Sequence, residues 1–201
     1  MIKAGITGGI GSGKTTICRI WESLGAKVVY ADELAKELMT HDVKLRDAIK
    51  SVFGDDAYDK KGQLNREYLA WEAFHKGRVE ELNRLVHPRV KDEVKRMATE
   101  AEDEGFRMFV EEAALLLNEG RPEHLDVIIL VEAPEEERIV RVSIRDETDS
   151  ERVKARMERQ ADPKQLRIYA DYIIVNDASM EELIDRSRSL YQTLLHTEVA
   201  K

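Results

Sequence analysis

Ten residues near the start of the chain, Thr7 to Thr16 (TGGIGSGKTT), combine four glycines, three threonines, a serine and a lysine. Such residues pack poorly into a core, but their spacing suits an anion cradle: Gly8 to Thr15 read G-x-x-x-x-G-K-[ST]. Glycines at 9, 11 and 13 let the backbone approach an anion and turn successive N–H groups towards it, as do the neighbouring N–H groups of Ser12 and Thr16 at the helix start. Lys14 is expected to bridge the outer phosphates of a nucleotide, and Thr15 to offer its hydroxyl to Mg2+. The bland alternative is a glycine-rich turn that binds nothing, and the complete motif between a strand and an amphipathic helix weighs against it.

Two further groups of residues have chemistry in their spacing. Asp32 ends the run VVYAD and starts the next helical segment. A carboxylate there can accept a proton from an attacking hydroxyl. It can equally be an acidic residue stabilised by the dipole of a helix's first turn, and position alone leaves both readings open. Arg138, Arg141 and Arg145 follow EAPEEE at three- and four-residue intervals and so share one helical face. Guanidinium groups gathered in this way can neutralise a transferring phosphoryl group, although Glu137 to Arg141 is also an ordinary surface ion-pair spacing. Arg152, Arg156 and Arg159 extend the density.

The elements that must position these residues are legible as apolar runs. IKAGIT (2–7), KVVYA (27–31), FRMFVEE (106–112), VIILVEA (127–133) and YIIVN (172–176) read as buried strands separated by helical segments. That alternation predicts a parallel sheet covered on both faces, with ligands beyond the strands' carboxyl ends. Residues 33–104 are strongly helical, with a break at FGDDAYDKKGQLN (53–65), and form too long a connection for a simple crossover; they are read as a helical substrate-binding insertion. Residues 135–169 form a second, charge-dense appendage of lid character. The nucleotide-binding core is then 1–32, 105–134 and 170–201. Within the insertion, Tyr68, Trp71 and Phe74 recur every three residues, a stripe expected to be core.

The 201 residues, 42% of them hydrophobic, suffice for one α/β core with appendages. A net charge of −8 argues against a nucleic acid partner. No apolar run is long enough to span a bilayer, and the single cysteine, Cys18, is expected to be a buried hydrophobe in a cytoplasmic protein.

With these pieces in place, the chain resembles the dephospho-coenzyme A kinase family over nearly its whole length. GITGGIGSGKTT is similar to that family's extended opening, LGAKVVYADELAKEL to its second block and FGDDAYDKKGQLNREYLAWEAF to its insertion. LNRLVHPRV, EEAALLLNEG, RVSIRDETDSERVKARMERQ and ADYIIVND follow in the family's order. The resemblance implies a three-layer α/β P-loop kinase fold with a five-stranded parallel sheet, a helical acceptor domain and a small helical lid. It implies ATP as donor, Mg2+ as cofactor, and phosphorylation of the ribose 3′-hydroxyl of dephospho-coenzyme A, with neither nucleic acid nor membrane as partner. Asp32 would be the general base; Lys14, Arg141 and Arg145 would stabilise the migrating phosphoryl group. His87, Arg89 and Leu115 would border the acceptor, and Asn176 the adenine. Three places depart from the family pattern: Tyr30 replaces the first aspartate of D-A-D, Ala114 to Asn118 replace P-L-L-F-E, and Arg138 stands where a glutamine is usual. A nucleoside or nucleotide kinase on the same scaffold, or an ATP-binding regulator without turnover, is the competing reading. No N-K-x-D segment supports a GTPase.

Overall fold

The computed structural model describes residues 1–118, 120–158, 160 and 163–199, without the side chains of 163, 164 and 197–199. The strands are β1 (Ile2–Thr7), β2 (Lys27–Tyr30), β3 (Met108–Glu112), β4 (Val127–Glu132) and β5 (Tyr172–Val175). The helices are α1 (Lys14–Ser23), α2 (Ala31–His41), α3 (Val43–Phe53), α4 (Arg66–Ala70), α5 (Val79–Asp103), α6 (Glu135–Asp146), α7 (Ser150–Met157), α8 (Pro163–Leu166) and α9 (Met180–Val199). The contacts divide the chain into two units, Met1–Tyr30 with Ala98–Lys201, and Ala31–Met97. Among the described residues no helix is long and apolar enough to cross a membrane.

The first unit carries one sheet in the order β2-β3-β1-β4-β5, with every neighbouring pair parallel. All five apolar runs of the sequence are strands of this sheet. Alternation along β4 explains its two dry faces. Ile129 and Val131 join the cluster containing Ile17, Trp21, Leu183 and Tyr191, whereas Ile128 and Leu130 join Leu117, Leu125 and Leu166. On α1, Ile17, Cys18 and Trp21 are buried at helical spacing beside Lys14. The Trp21 indole N–H donates to the Ser187 carbonyl at 3.0 Å, and its ring meets Tyr191 edge-on at 5.5 Å, which fixes α9 against α1. Burial pushes the Cys18 thiol well above its usual range, so it behaves as a small apolar residue.

β1 is central, and the chain leaves it for β2 on one side and reaches β4 on the other. Strand order therefore reverses at β1, the place where an open parallel sheet receives ligands. The register places Ile6 opposite both Glu112 and Ile129, so β1 and β3 end together where the glycine-rich loop begins, and β4 runs on beside that loop with its Val131 carbonyl at Gly8.

The second unit has its own core of Leu45, Ile49, Phe53, Ala57, Tyr58, Leu69 and Val86. Leu45, Ile49 and Phe53 recur every fourth residue on α3 and so share its inner face. The Asp42 carboxylate accepts the Leu45 N–H at 2.7 Å and starts the helix. Phe53 ends α3, a 3-10 turn (Asp55–Ala57) follows, and an antiparallel bridge joins Tyr58 to Leu64, matching the break read at 53–65. Asn65 then caps α4 through the Tyr68 N–H.

One local expectation changes here. Of the stripe only Tyr68 packs against the core, whereas Trp71 and Phe74 are 53% and 58% exposed. α4 continues into a π-helical turn, Trp71–His75, whose wider winding alters the angular spacing that a three-residue repeat presumes. Glu72 and Ala73 point inward instead, Glu72 being held by Lys76 at 2.6 Å and Arg78 at 2.7 Å. α5 runs through His87-Pro88 for 25 residues.

Candidate active site

Between β1 and α1 the loop takes the conformation that its glycines permit. Gly13 has φ +105° and lies so near the Asn176 side chain that a Cβ would overlap its Nδ2; Gly8 has φ +148°, and a Cβ there would strike the Val131 carbonyl oxygen. Only glycine fits either place at low cost. The Asn176 Nδ2 donates to the Ser12 carbonyl at 2.9 Å and is itself buried just beyond β5, so the loop is tied to the far side of the sheet.

Lys14 is buried at the first position of α1. Its Nζ donates to the carbonyls of Gly8 at 3.0 Å and Gly9 at 3.4 Å and stands 3.8 Å from the Glu112 carboxylate. The ammonium is thus already folded over the loop. Thr15 is exposed and Thr16 half-buried on the same turn, and the Ser12 hydroxyl is buried without a hydrogen-bond partner among the described residues.

The three arginines of α6 share a helix but not a destination. Arg141 is half-buried, with Nη2 2.5 Å from Glu137 and 3.4 Å from the Asn176 carbonyl, while its buried Nη1 has no hydrogen-bond partner among the described residues. The surface-type pair Glu137–Arg141 is therefore present, alongside a donor held at the loop's Asn176. Arg145 is exposed and binds Asp146 at 2.7 Å, which Arg156 also grips at 2.6 Å. These two cations hold the Asp146 carboxyl far below the usual carboxylate range. Arg152 pairs with Asp149, and Arg159 lies outside the described residues.

Of the remaining candidates, Leu115 is exposed in the turn after β3. Asp32, His87 and Arg89 belong to the second unit. Asp32 is exposed in the first turn of α2, and His87 is exposed on α5. Arg89 is engaged by the Asp42 carboxylate, which ties α5 to the start of α3. Tyr30, at the aspartate position, hydrogen-bonds Glu22 at 3.2 Å, and burial raises its phenol well above the usual value.

The sequence offers Arg138 as one of the gathered guanidiniums but does not offer any of the three contacts that follow. The Arg138 Nε donates to the Ile10 carbonyl at 2.9 Å, and the Gln160 Oε1 accepts the Ile10 N–H at 2.8 Å. The Glu111 carboxylate, buried at the end of β3, meets His124 Nε2 at 2.8 Å. Arg138 carried a signal in sharing its helical face with Arg141; Gln160 and His124 carried none.

Comparison with known proteins agrees with this geometry. A family model described as dephospho-CoA kinase matches residues 2–182. A dephospho-CoA kinase of Salinibacter ruber is 46% identical over 192 residues, 95% of this chain and 96% of that protein. A crystal structure of a Thermus thermophilus protein superposes with a TM-score of 0.81 at 30% identity, covering 96% of this chain and 97% of that one. A dephospho-CoA kinase from Campylobacter jejuni has the same fold, with a TM-score of 0.70 at 24% identity over 98% of both chains. The chain belongs to the dephospho-CoA kinase family.

Proposed function

We propose that this chain transfers the γ-phosphoryl group of ATP to the ribose 3′-hydroxyl of dephospho-coenzyme A, giving coenzyme A and ADP, the last step of coenzyme A synthesis. The observation that carries it is the glycine loop with Lys14 folded over it, in a chain of this family. In this reading Gly9, Gly11, Ser12, Gly13, Lys14, Thr15 and Thr16 hold the ATP phosphates and Asn176 borders adenine. Residues 1–32, 105–134 and 170–201 form the donor core, 33–104 the acceptor domain and 135–169 the lid.

Asp32 takes the proton of the 3′-hydroxyl as its oxygen attacks the γ-phosphorus. Lys14, Arg141 and Arg145 offset the charge that spreads over the phosphoryl oxygens, so catalysis is mainly positioning and electrostatics. Arg145 must exchange Asp146 for the substrate to do so. His87, Arg89 and Leu115 border the acceptor.

The donor set fits Mg2+: the Thr15 hydroxyl is exposed on the first turn of α1, and the Ser12 hydroxyl is buried with no hydrogen-bond partner among the described residues. When bound, Mg2+, held on the protein side by the Thr15 hydroxyl, would draw charge off the transferring phosphoryl group. The buried free Cys18 suits a reducing cytoplasm.

The test is acceptor choice. Purified protein with Mg-ATP is offered dephospho-coenzyme A, nucleosides and nucleoside monophosphates; the expected result is ADP release with dephospho-coenzyme A alone, phosphorylated at the 3′ position. Turnover of nucleosides or monophosphates instead would overturn the assignment.

A further inference from the structure

The guanidinium of Arg138 lies on the phosphate loop, although the proposed mechanism does not use it. Its Nε is fixed by the Ile10 carbonyl at 2.9 Å, and its Nη2 and Cζ rest against Gly9 so closely that any Cβ at position 9 would overlap them. A Cβ on Gly11 would likewise stand 2.7 Å from the Arg138 carbonyl oxygen. The loop's glycines therefore accommodate this arginine as well as an anion. From the other side, Gln160 takes the Ile10 N–H, so both polar backbone atoms of Ile10 are held.

The side chain is half-buried, and among the described residues no carboxylate lies within ion-pair distance of it and neither terminal nitrogen has a hydrogen-bond partner. Its neighbours on the helix differ: Arg141 has Glu137 and Arg145 has Asp146. A guanidinium cannot shed its charge, so burying one without an anion is costly, and that cost is relieved by an anion brought to the same place. The loop's own ligand is such an anion.

We propose that Arg138 is a further nucleotide ligand of this chain, a fixed cation on the rim of the loop that recognises the polyphosphate of the donor rather than its nucleoside. The inference rests on the reading of the loop as the donor site. Burial pulls the pKa of this guanidinium down from its ordinary value, opposed only by Glu135, while leaving it charged, which agrees with a cation awaiting its counter-ion.

The test compares Arg138→Gln, Arg138→Lys and Lys14→Ala by calorimetric titration with a non-hydrolysable ATP analogue and with AMP, at two salt concentrations. Glutamine can still donate to the Ile10 carbonyl, so it removes the charge and spares the tie. The expected result for Arg138→Gln is about tenfold weaker analogue binding, the usual size of one charge-assisted contact. AMP binding should stay within about twofold, the salt dependence should be shallower, and Arg138→Lys should restore much of the loss. Analogue affinity within about twofold of the parent protein, or equal losses for analogue and AMP, would overturn the proposal. Undiminished binding by Lys14→Ala would overturn the loop reading itself, whereas loss in Lys14→Ala with none in Arg138→Gln would sink the Arg138 inference alone.

Discussion

The chain has two tryptophans, one in each unit, and they are placed oppositely. Trp21 is wholly buried between α1 and α9, with its N–H satisfied by Ser187; Trp71 is 53% exposed on a π-helical turn, stacked on His75 with ring centres 4.2 Å apart. The same contrast runs through the two regions. In the first unit the candidate site is made of backbone: a loop whose φ values demand glycine, held by a buried lysine and a buried asparagine. In the second, the candidate residues Asp32, His87 and Arg89 are side chains on helix surfaces. A backbone site is written in residue types at fixed spacing, because few residues permit it; a side-chain site depends on how helices are rolled.

The largest effect that would sharpen this contrast is Asp32→Asn. Removal of the proton acceptor should lower kcat by about two to four orders of magnitude and leave ATP affinity within a few-fold, since the phosphate loop lies elsewhere in the chain. Steady-state kinetics with each substrate varied would show it, and near-normal turnover would refute the base role. Next in size is the pair of tryptophans. Trp21→Ala should cost about 3–5 kcal/mol by leaving a cavity between α1 and α9, whereas Trp71→Ala should change stability by less than about 0.5 kcal/mol. Urea unfolding of both variants measures the difference, and comparable losses would mean that the exposed stripe packs after all.

How much of this was legible follows the same division. The five strands could be read because parallel strands buried on both faces are continuous apolar runs, and the loop because its glycines have no substitute. Asp32 could be placed at the start of a helix but not assigned a role from position alone. The failure at Trp71 and Phe74 has a definite cause: the period used to read the stripe is that of an α-helix, and the chain winds there as a π-helix. Gln160 was missed because a single glutamine 150 residues from Ile10 has no local pattern. The arginine face was legible as a face, but its partners were not, since each guanidinium is aimed by a different neighbour.

A smaller effect tests whether the loop needs its cross-sheet tie. Asn176→Ala removes the donor to the Ser12 carbonyl and leaves that oxygen without it in a buried place. A loss of about 1–3 kcal/mol in stability is expected, together with weaker ATP binding and an unchanged KM for the acceptor. If acceptor KM rose and ATP binding held, the donor and acceptor regions would have been assigned the wrong way round.

The smallest effect belongs to the second unit and appears only with pH. The Asp42 carboxyl is held below the usual range first by the hydrogen bond from Arg89, then by the Leu45 N–H that it caps. Its folded-state value is therefore lower than that of the unfolded chain, about 3.9 for a free aspartate. The sign follows from linkage: the group stabilises the folded state fully at pH values above that ordinary value, and the contribution drains away as the pH falls below it towards the depressed one. Asp42→Asn keeps an oxygen for the Leu45 N–H and loses the charge that Arg89 binds. The gap in urea midpoint between parent and variant should be constant from pH 7 to about 5 and narrow as the pH falls below about 3.9, because the unfolded parent then takes up a proton that the folded parent resists. It should also narrow in high salt, as the Arg89 side chain is more than a third exposed. A gap that persists unchanged to pH 3 would mean that Asp42 acts only as a helix cap and that Arg89 is free to serve the acceptor.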